Sequence, residues 1–277
     1  MYETRRGGHR WRPGPRPRLV ACDLDGTLLN PAGEVSARTR RALQKATDLG
    51  IEIVLVTGRP PRWVRDLPDA TGAHSIVVCA NGALLYDVVA HEVIDHLPLP
   101  SELAVELIRS LRAAAPGCQF ACEMTFQFGQ DRDYPGRWPT PPDTMFGDVL
   151  EMVANTPTTK LIVRDDAIPH DELVRSVREV IAGRAEVTHS GRDIVEISAP
   201  GVDKGRGLRV ACDRHGIALA DTIAFGDMPN DLPMLAIAGH SVAVANAHAD
   251  VLAAADEITA SNADDGVAIV LERVLAG

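Results

Sequence analysis

Two aspartates, Asp23 and Asp25, end a short apolar segment of the sequence, with only Leu24 between them. Alternate side chains of an extended backbone project to the same side, so these two carboxylates are expected to lie close together. Neighbouring carboxylates repel each other unless a proton or a cation lies between them. Because Mg²⁺ takes oxygen ligands from one or two carboxylates together with water and phosphate, the pair predicts a magnesium site.

A second acidic group occurs far along the chain in the segment FGDMPND, where Asp227 and Asp231 stand on either side of Asn230. If both segments end parallel strands of one sheet, Asp227 lies at the same edge as Asp23 and completes the metal site. The alternative is that Asp227 or Asn230 only caps the helix that follows. The presence of Asp23 and Asp25 favours the metal site.

Two further features are suited to binding an oxyanion. The segment VTGRP offers the hydroxyl of Thr57 and the backbone N–H of Gly58 at the end of an apolar run. Lys204 is one of only three lysines in the chain and begins a predicted helix. Each feature also has an ordinary interpretation, a strand-to-helix turn in the first case and a solvated helix start in the second. Together with the aspartates, they indicate a phosphate site.

These residue types fit one reaction. Asp23 attacks phosphorus as a carboxylate nucleophile, and Mg²⁺ links this carboxylate, the later acidic group and a phosphate oxygen. Asp25 protonates the leaving alcohol and then takes a proton from the water that hydrolyses the intermediate. Thr57, Lys204 and backbone amides near Leu24 hold the other phosphate oxygens. We therefore expect a hydrolase of phosphate esters that forms an aspartyl-phosphate.

The elements that must position these residues alternate along the chain. Apolar strand patterns and amphipathic helix patterns follow one another in residues 18–86 and again in residues 199–277. Strands that are apolar throughout and separated by helices predict a parallel sheet covered on both faces. The expected fold is therefore an α/β, Rossmann-like, doubly wound core, which binds ligands at the carboxyl ends of its strands.

The middle of the chain has a different pattern. Residues 87–198 contain Pro-rich pieces, and the segments TTKLIVRDD and RDIVEIS predict half-exposed antiparallel strands with a helix between them. This region is predicted to be an inserted α+β cap domain. Its candidate substrate contacts are Glu123, Arg132, Arg137 and Trp138. The Arg- and Pro-rich residues 1–17 are predicted to form a disordered basic tail.

The overall composition excludes some functions. The 277-residue chain has a net charge of −10 at pH 7, which argues against a nucleic-acid partner. An anionic substrate then requires a metal ion or a few local cations to reverse the sign of charge at the site. The five cysteines suggest reduced, buried thiols in a cytoplasmic protein. The sequence contains no apolar run of about 18 residues, so no membrane span is expected.

Five motifs occur in order along the chain: DLDGTLL, VTGR, NGA, GVDKGRGL and GDMPND. In this order they resemble the motifs of haloacid dehalogenase-like phosphatases. The large insertion and the closing segment from residue 245 onward are similar to the Cof-type subfamily with a class IIB cap. The similarity extends from residue 19 to the C-terminus. It implies a Rossmann-like core, a mixed α/β cap, dependence on Mg²⁺ and small substrates such as sugar phosphates.

The resemblance also implies roles for individual residues. Asp23 would be nucleophile and metal ligand, Asp25 would be acid and base with its carbonyl oxygen on the metal, and Asp227 would be the acidic metal ligand. Asp231 would support the site from behind. The phosphate-binding residues would be Leu24 through its N–H, Thr57, Gly58, Lys204 and Asn230, and possible substrate contacts are Arg59 and Asn81. Pro229 departs from the family pattern because proline lacks an N–H; we expect the loop to tolerate it.

The leading prediction is Mg²⁺-dependent hydrolysis of small phosphate monoesters by a monomer or weak homo-oligomer. Two alternatives remain open. A phosphomutase of the same family shares these motifs and would require a bisphosphate activator. A sugar-phosphate-binding regulator without turnover would have no need for an acid/base residue such as Asp25.

Overall fold

The computed structural model describes residues 16–64, 76–136, 140–189 and 194–276. Arg137, Trp138 and nearly all of the expected tail lie outside these ranges. The chain divides into two compact units. The first contains residues up to Arg59 together with Trp63–Ile94 and Asp203–Gly277, and the second contains Pro60–Arg62 and Asp95–Val202.

The described residues form strands that we number in chain order. They are β1 (Leu19–Cys22), β2 (Glu52–Val56), β3 (Ile76–Cys79), β4 (Leu84–Asp87), β5 (Glu92–His96), β6 (Gln119–Met124), β7 (Gln127–Asp131), β8 (Met145–Gly147), β9 (Lys160–Arg164), β10 (Glu186–Thr188), β11 (Val195–Ser198), β12 (Thr222–Gly226), β13 (His240–Ala243) and β14 (Glu257–Ile258).

The helices are numbered in the same way. They are α1 (Ala37–Asp48), α2 (Ser101–Ala114), α3 (Val149–Asn155), α4 (His170–Ile181), α5 (Lys204–His215), α6 (Leu232–Ile237), α7 (Ala249–Ala254) and α8 (Gly266–Ala276). Short 3₁₀ turns at Ala80–Gly82, Pro229–Asp231 and Asn262–Asp264 lie close to the motifs.

The first unit is built on one sheet with the strand order β14-β13-β12-β1-β2-β3-β4-β5. The strands from β14 to β3 run parallel, and β4 is antiparallel to β3. From β1 the chain moves outward to β2 and β3, whereas β12, β13 and β14 extend the other side of the sheet. The strand order therefore reverses between β1 and β12, and doubly wound sheets bind ligands beyond the carboxyl ends of such strands.

Local sequence sets where the helix of the fourth motif begins. The side chain of Asp203 caps α5, since its Oδ1 accepts a hydrogen bond from Arg206 N at 2.6 Å. The helix ends at Gly216, whose φ of 61° suits glycine. Lys204 therefore stands in the first turn of α5. Gly207 allows this helix to lie against β3, because a Cβ there would be 2.2 Å from a methyl carbon of Val78.

The second unit is an α+β structure. Its sheet has the order β10-β11-β9-β6-β7-β8, with antiparallel neighbours except for the parallel pair β7 and β8. One set of alternate side chains joins the apolar faces of α2, α3 and α4 in a common core. The expectation that the strands in TTKLIVRDD and RDIVEIS are half-exposed is wrong. Nearly all their residues are buried, and the two buried charged residues among them, Lys160 on β9 and Glu196 on β11, form an ion pair that offsets the cost of burying their charges.

The bounds of the inserted unit also differ from those expected at residues 87–198. Residues 87–94 belong to the first unit, because β4 and β5 continue its sheet at one edge. Residues 199–202 belong to the second unit. All five cysteines are buried free thiols. No helix in the described ranges is long and apolar enough to cross a membrane.

Candidate active site

Carboxylates from two distant parts of the chain meet at the edge of the first unit's sheet. Asp23 directly follows β1 and Asp227 directly follows β12, and these strands are parallel neighbours. Asp231 follows in the turn after Asp227. One carboxylate oxygen from each of the three residues lies within 4.8 Å of the others, and all three residues are buried. The topology thus produces the convergence of Asp23 and Asp227 that the sequence predicts.

A single buried ammonium joins this cluster. Nζ of Lys204 donates to Oδ1 of Asp23 and to Oδ1 of Asp231, each at 2.6 Å. Lys204 is 1% exposed. Burial disfavours its charged form, but the two carboxylates outweigh that effect and raise the pKa of Lys204 well above its usual value. The lysine is therefore a fixed positive charge in the site.

Both carboxylate oxygens of Asp231 accept hydrogen bonds that hold the loop after β12 in place. Its Oδ2 accepts hydrogen bonds from the backbone N–H groups of Asp227 and Met228, both at 2.9 Å, while Oδ1 accepts from Lys204. The missing N–H of Pro229 is not needed for this arrangement, because the two amides that close the loop precede it. Gly226 permits the close approach, since a Cβ there would be 2.6 Å from Cβ of Asp231.

Asp227 lies in an unfavourable electrostatic position. Burial, together with the nearby charge of Asp231, raises the pKa of Asp227 to about 6. Its Oδ1 accepts a hydrogen bond from the hydroxyl of Thr27 at 3.0 Å. Gly26 packs against the same carboxylate, because a Cβ there would be 2.3 Å from Oδ2 of Asp227. The sequence analysis does not predict the contact of Thr27 with Asp227, although the position of Thr27 in the first motif is a signal for a polar neighbour of the site.

The donor set fits a hard divalent cation. Oδ2 of Asp23 is buried and has no hydrogen-bond donor among the described residues. Burial, and secondarily the charges of Asp231 and Asp227, raise the pKa of Asp23 well above its ordinary value, although Lys204 opposes this. Three carboxylates around one ammonium leave an excess of negative charge. A second cation between Asp23 and Asp227 would remove that excess and supply the missing partner of Oδ2.

Asp25 lies in a different environment from Asp23. Its side chain is 59% exposed and is held in a fork by Arg59, with Nε–Oδ2 at 2.8 Å and Nη2–Oδ1 at 2.5 Å. The backbone turns at Leu24, and Leu29 N donates to Leu24 O at 2.9 Å. The extended geometry that would pair Asp23 and Asp25 side by side is therefore not present. Arg59, expected as a substrate contact, contacts Asp25.

The second and third motifs meet beside the carboxylates. Thr57 is buried, its Oγ1 accepts from Arg59 N at 3.1 Å, and its carbonyl oxygen accepts from Asn81 N at 2.9 Å. Asn81 has a φ of 56°, and its Oδ1 accepts from Nδ2 of Asn230 at 3.1 Å. The same Oδ1 would lie 3.2 Å from a Cβ placed on Gly58. The motif residues thus form one connected network.

Comparison with known proteins agrees with this geometry. Residues 20–271 match the family model of haloacid dehalogenase-like hydrolases. The chain belongs to this family. A putative phosphatase of Bacillus subtilis is 31% identical, with 94% of this chain and 99% of that protein covered. The pyridoxal phosphate phosphatase of Escherichia coli is 29% identical, with 91% and 96% covered.

Two further similarities bear on length and fold. The chloroplastic endoribonuclease YBEY of Arabidopsis thaliana is 29% identical over 94% of this chain, but the chain spans only 47% of that protein. A solved structure from Thermotoga maritima is 29% identical, covers 93% of this chain and 97% of its own, and has a TM-score of 0.79. The predicted family, fold class and enzyme class, a phosphoric monoester hydrolase, are confirmed.

Proposed function

We propose that the protein is a Mg²⁺-dependent phosphatase that hydrolyses small phosphate monoesters through an aspartyl-phosphate on Asp23. One observation carries this proposal. A buried carboxylate, Asp23, directs one oxygen to Lys204, while its other oxygen faces no donor among the described residues. Such an oxygen at a sheet edge with excess negative charge is suited to a metal ion and a phosphoryl group.

The residues that would hold Mg²⁺ are Asp23, Asp227 and, as the family resemblance implies, the carbonyl oxygen of Asp25. When bound, the ion offsets the repulsion between the nucleophile and the anionic substrate. Asp231 acts behind these ligands, because both of its oxygens already accept hydrogen bonds from Lys204 and the loop amides. These hydrogen bonds support the proposal that Asp231 holds the site without binding the ion itself.

The chain supplies its own donors for the phosphate. An ammonium has three N–H donors, and Lys204 uses two of them on Asp23 and Asp231, which leaves the third for a phosphate oxygen. The hydroxyl of Thr57 accepts from Arg59 N and can donate its own proton to another oxygen. The remaining predicted donors are the N–H groups of Leu24 and Gly58 and the amide of Asn230.

The reaction proceeds in two displacements. A carboxylate oxygen of Asp23 bonds to phosphorus while the bond to the leaving oxygen breaks, and protonated Asp25 gives its proton to that oxygen. Water then attacks phosphorus and gives a proton to Asp25, while the bond between phosphorus and the Asp23 oxygen breaks. Phosphate leaves, and the carboxylate of Asp23 is restored. The fork from Arg59 occupies both oxygens of Asp25. It must therefore open at one oxygen for each proton transfer.

The names of two relatives support a proposal about the substrate class. One relative that covers most of the chain is named for pyridoxal phosphate, and another is named an HMP-PP phosphatase. We propose that this protein acts on sugar phosphates or metabolites of similar size. We assign selection of the leaving group to the second unit, which the family resemblance identifies as the cap.

The decisive experiment replaces the nucleophile. Asp23→Asn is expected to lower Mg²⁺-dependent release of phosphate from p-nitrophenyl phosphate by more than about 10³-fold. Asp213→Asn is the matched control, because Asp213 is exposed on α5. Turnover near that of the wild type in Asp23→Asn would remove Asp23 from the nucleophilic role. A requirement for a bisphosphate activator would instead identify a phosphomutase.

A further inference from the structure

The loop that follows Asp23 is tightly wound on its own backbone. Thr27 N donates to Leu24 O at 3.3 Å, Leu28 N donates to Asp23 O and Leu24 O, and Leu29 N donates to Leu24 O. These bonds use the amides of the loop and the carbonyl groups at its start. The carbonyl groups of Gly26 and Leu29, farther along, require partners from outside the loop.

Two asparagines from the end of the chain supply those partners. Nδ2 of Asn246 donates to Gly26 O at 2.8 Å, and Nδ2 of Asn262 donates to Leu29 O at 2.7 Å. The asparagines are also joined to each other, since Asn262 N donates to Oδ1 of Asn246 at 2.9 Å. The three bonds form a clamp, by which we mean Asn246 and Asn262 with the carbonyl groups of Gly26 and Leu29.

The sheet holds the clamp in place. Asn246 follows β13 and Asn262 follows β14, and these are parallel neighbours on the same sheet as β1. The segment between β13 and Asn246 is tied to that before Asn262, because Ala245 N donates to Ala260 O at 3.3 Å. Both asparagines therefore lie at the carboxyl edge of the sheet and reach the loop across more than 200 residues of sequence.

The clamped carbonyl groups lie beside the reacting groups. Gly26 immediately follows Asp25, and its φ of 86° is held where a Cβ would be 2.3 Å from Asp227. Thr27, between the two clamped residues, donates its hydroxyl proton to Asp227 at 3.0 Å. A shift of this loop therefore moves Asp25 and, at the same time, changes the contacts of Gly26 and Thr27 with the carboxylate of Asp227.

We infer that Asn246 and Asn262 are positioning residues for the reaction, an inference that rests on the proposed function. They act on the chemistry only through the loop that carries Asp25 and Thr27. Neither residue belongs to the motifs that predict the site. Both stand in the closing segment that resembles the Cof-type tail.

The test uses isosteric variants that lose the donor. Asn246→Asp and Asn262→Asp each replace the N–H by an oxygen that repels the carbonyl group. The expected result is a fall in kcat with p-nitrophenyl phosphate and Mg²⁺ of about 10- to 100-fold, with KM changed by less than about threefold. The double variant is expected to lose less than the product of the single losses, because the two side chains share one clamp.

The matched control is Asn155→Asp, because Nδ2 of Asn155 also donates to a backbone carbonyl oxygen, that of Glu151 at 2.9 Å, on α3 of the other unit. A kcat in both clamp variants equal to that of the control would overturn the inference. Amide hydrogen exchange gives a second readout that does not depend on activity. Exchange at the backbone amides of Thr27, Leu28 and Leu29 should be faster in the clamp variants than in the wild type, and unchanged exchange there would also overturn the inference. If the wild-type protein had no phosphatase activity, only the proposed function would be refuted.

Discussion

The two units of the molecule bury acidic side chains in different ways. In the described part of the inserted unit, the two buried glutamates Glu123 and Glu196 each form an ion pair with a different cation. The guanidinium of Arg62 donates hydrogen bonds to both carboxylate oxygens of Glu123, a residue that is 3% exposed. Lys160 forms an ion pair with Glu196, which is 1% exposed. Burial raises the pKa of Glu123, and Arg62 opposes that rise. Two negative and two positive charges balance there.

The first unit shows the opposite at the edge of its sheet. Three buried carboxylates, from Asp23, Asp227 and Asp231, share one buried ammonium from Lys204 among the described residues. An unpaired buried charge is costly, so a fold retains it only where something else compensates. The balanced group needs no ligand to compensate its charges, whereas the unbalanced group does, which is consistent with the metal site proposed there.

The largest expected effect comes from unbalancing the inserted unit. Lys160→Met removes the buried cation that pairs with Glu196 and should lower the free energy of unfolding by about 3–5 kcal/mol. The matched variant Lys160→Met with Glu196→Gln removes both charges and should recover most of that loss. Urea unfolding curves measure both. A loss below about 1 kcal/mol in the single variant would show that this pair behaves like a surface pair.

The next effect tests the one cation of the unbalanced group. Lys204→Ala removes the proposed donor to the phosphate and should lower kcat by about 10²- to 10³-fold while raising KM, because the charge is proposed to act in the transition state as well. Lys45→Ala is the matched control, since Lys45 is exposed on α1. Steady-state kinetics with p-nitrophenyl phosphate separate the two constants. An unchanged kcat would limit Lys204 to ground-state binding.

Some of this comparison could be read from the sequence. The convergence of Asp23 and Asp227 follows from one rule, because parallel strands place their carboxyl ends at one edge of the sheet. Lys204 stands out because lysine is so rare in this chain. The convergence of Asp23 and Asp227 and the importance of Lys204 can both be predicted because each depends on a pattern within a short segment. The parallel sheet then brings the ends of those segments together.

Other features depend on contacts that no local pattern contains. The fork between Arg59 and Asp25 joins residues 34 positions apart and exists because the backbone turns at Leu24. The charged residues Lys160 and Glu196 make the sequences of β9 and β11 look like those of half-exposed strands. The sequence does not show that these two residues lie side by side and form a buried ion pair. The start of the inserted unit lies later than residue 87, because β4 and β5 continue the core sheet after the parallel strands end.

The smallest expected effect is the increase in the stability of the folded protein when Mg²⁺ binds, which tests whether the excess negative charge attracts the ion. A ligand that binds only the folded state adds about 2.7 kcal/mol at a concentration one hundred times its Kd. The wild-type protein should therefore unfold at a higher temperature in MgCl₂ than in NaCl of equal ionic strength. Glu196→Gln should keep this shift, because its carboxylate belongs to the balanced group.

Asp227→Asn should lose the shift, and its stability without Mg²⁺ should equal or exceed that of the wild type. The reason lies in the pKa of about 6 for Asp227, raised by burial and by Asp231 from a usual value of 3.8. With the folded pKa above the unfolded one, ionisation costs stability as the pH rises through this range, and the cost is fully present at pH 7. A neutral asparagine avoids it. If Asp227→Asn kept the whole Mg²⁺ shift, the ion would bind elsewhere, and the unbalanced charges would not mark its site.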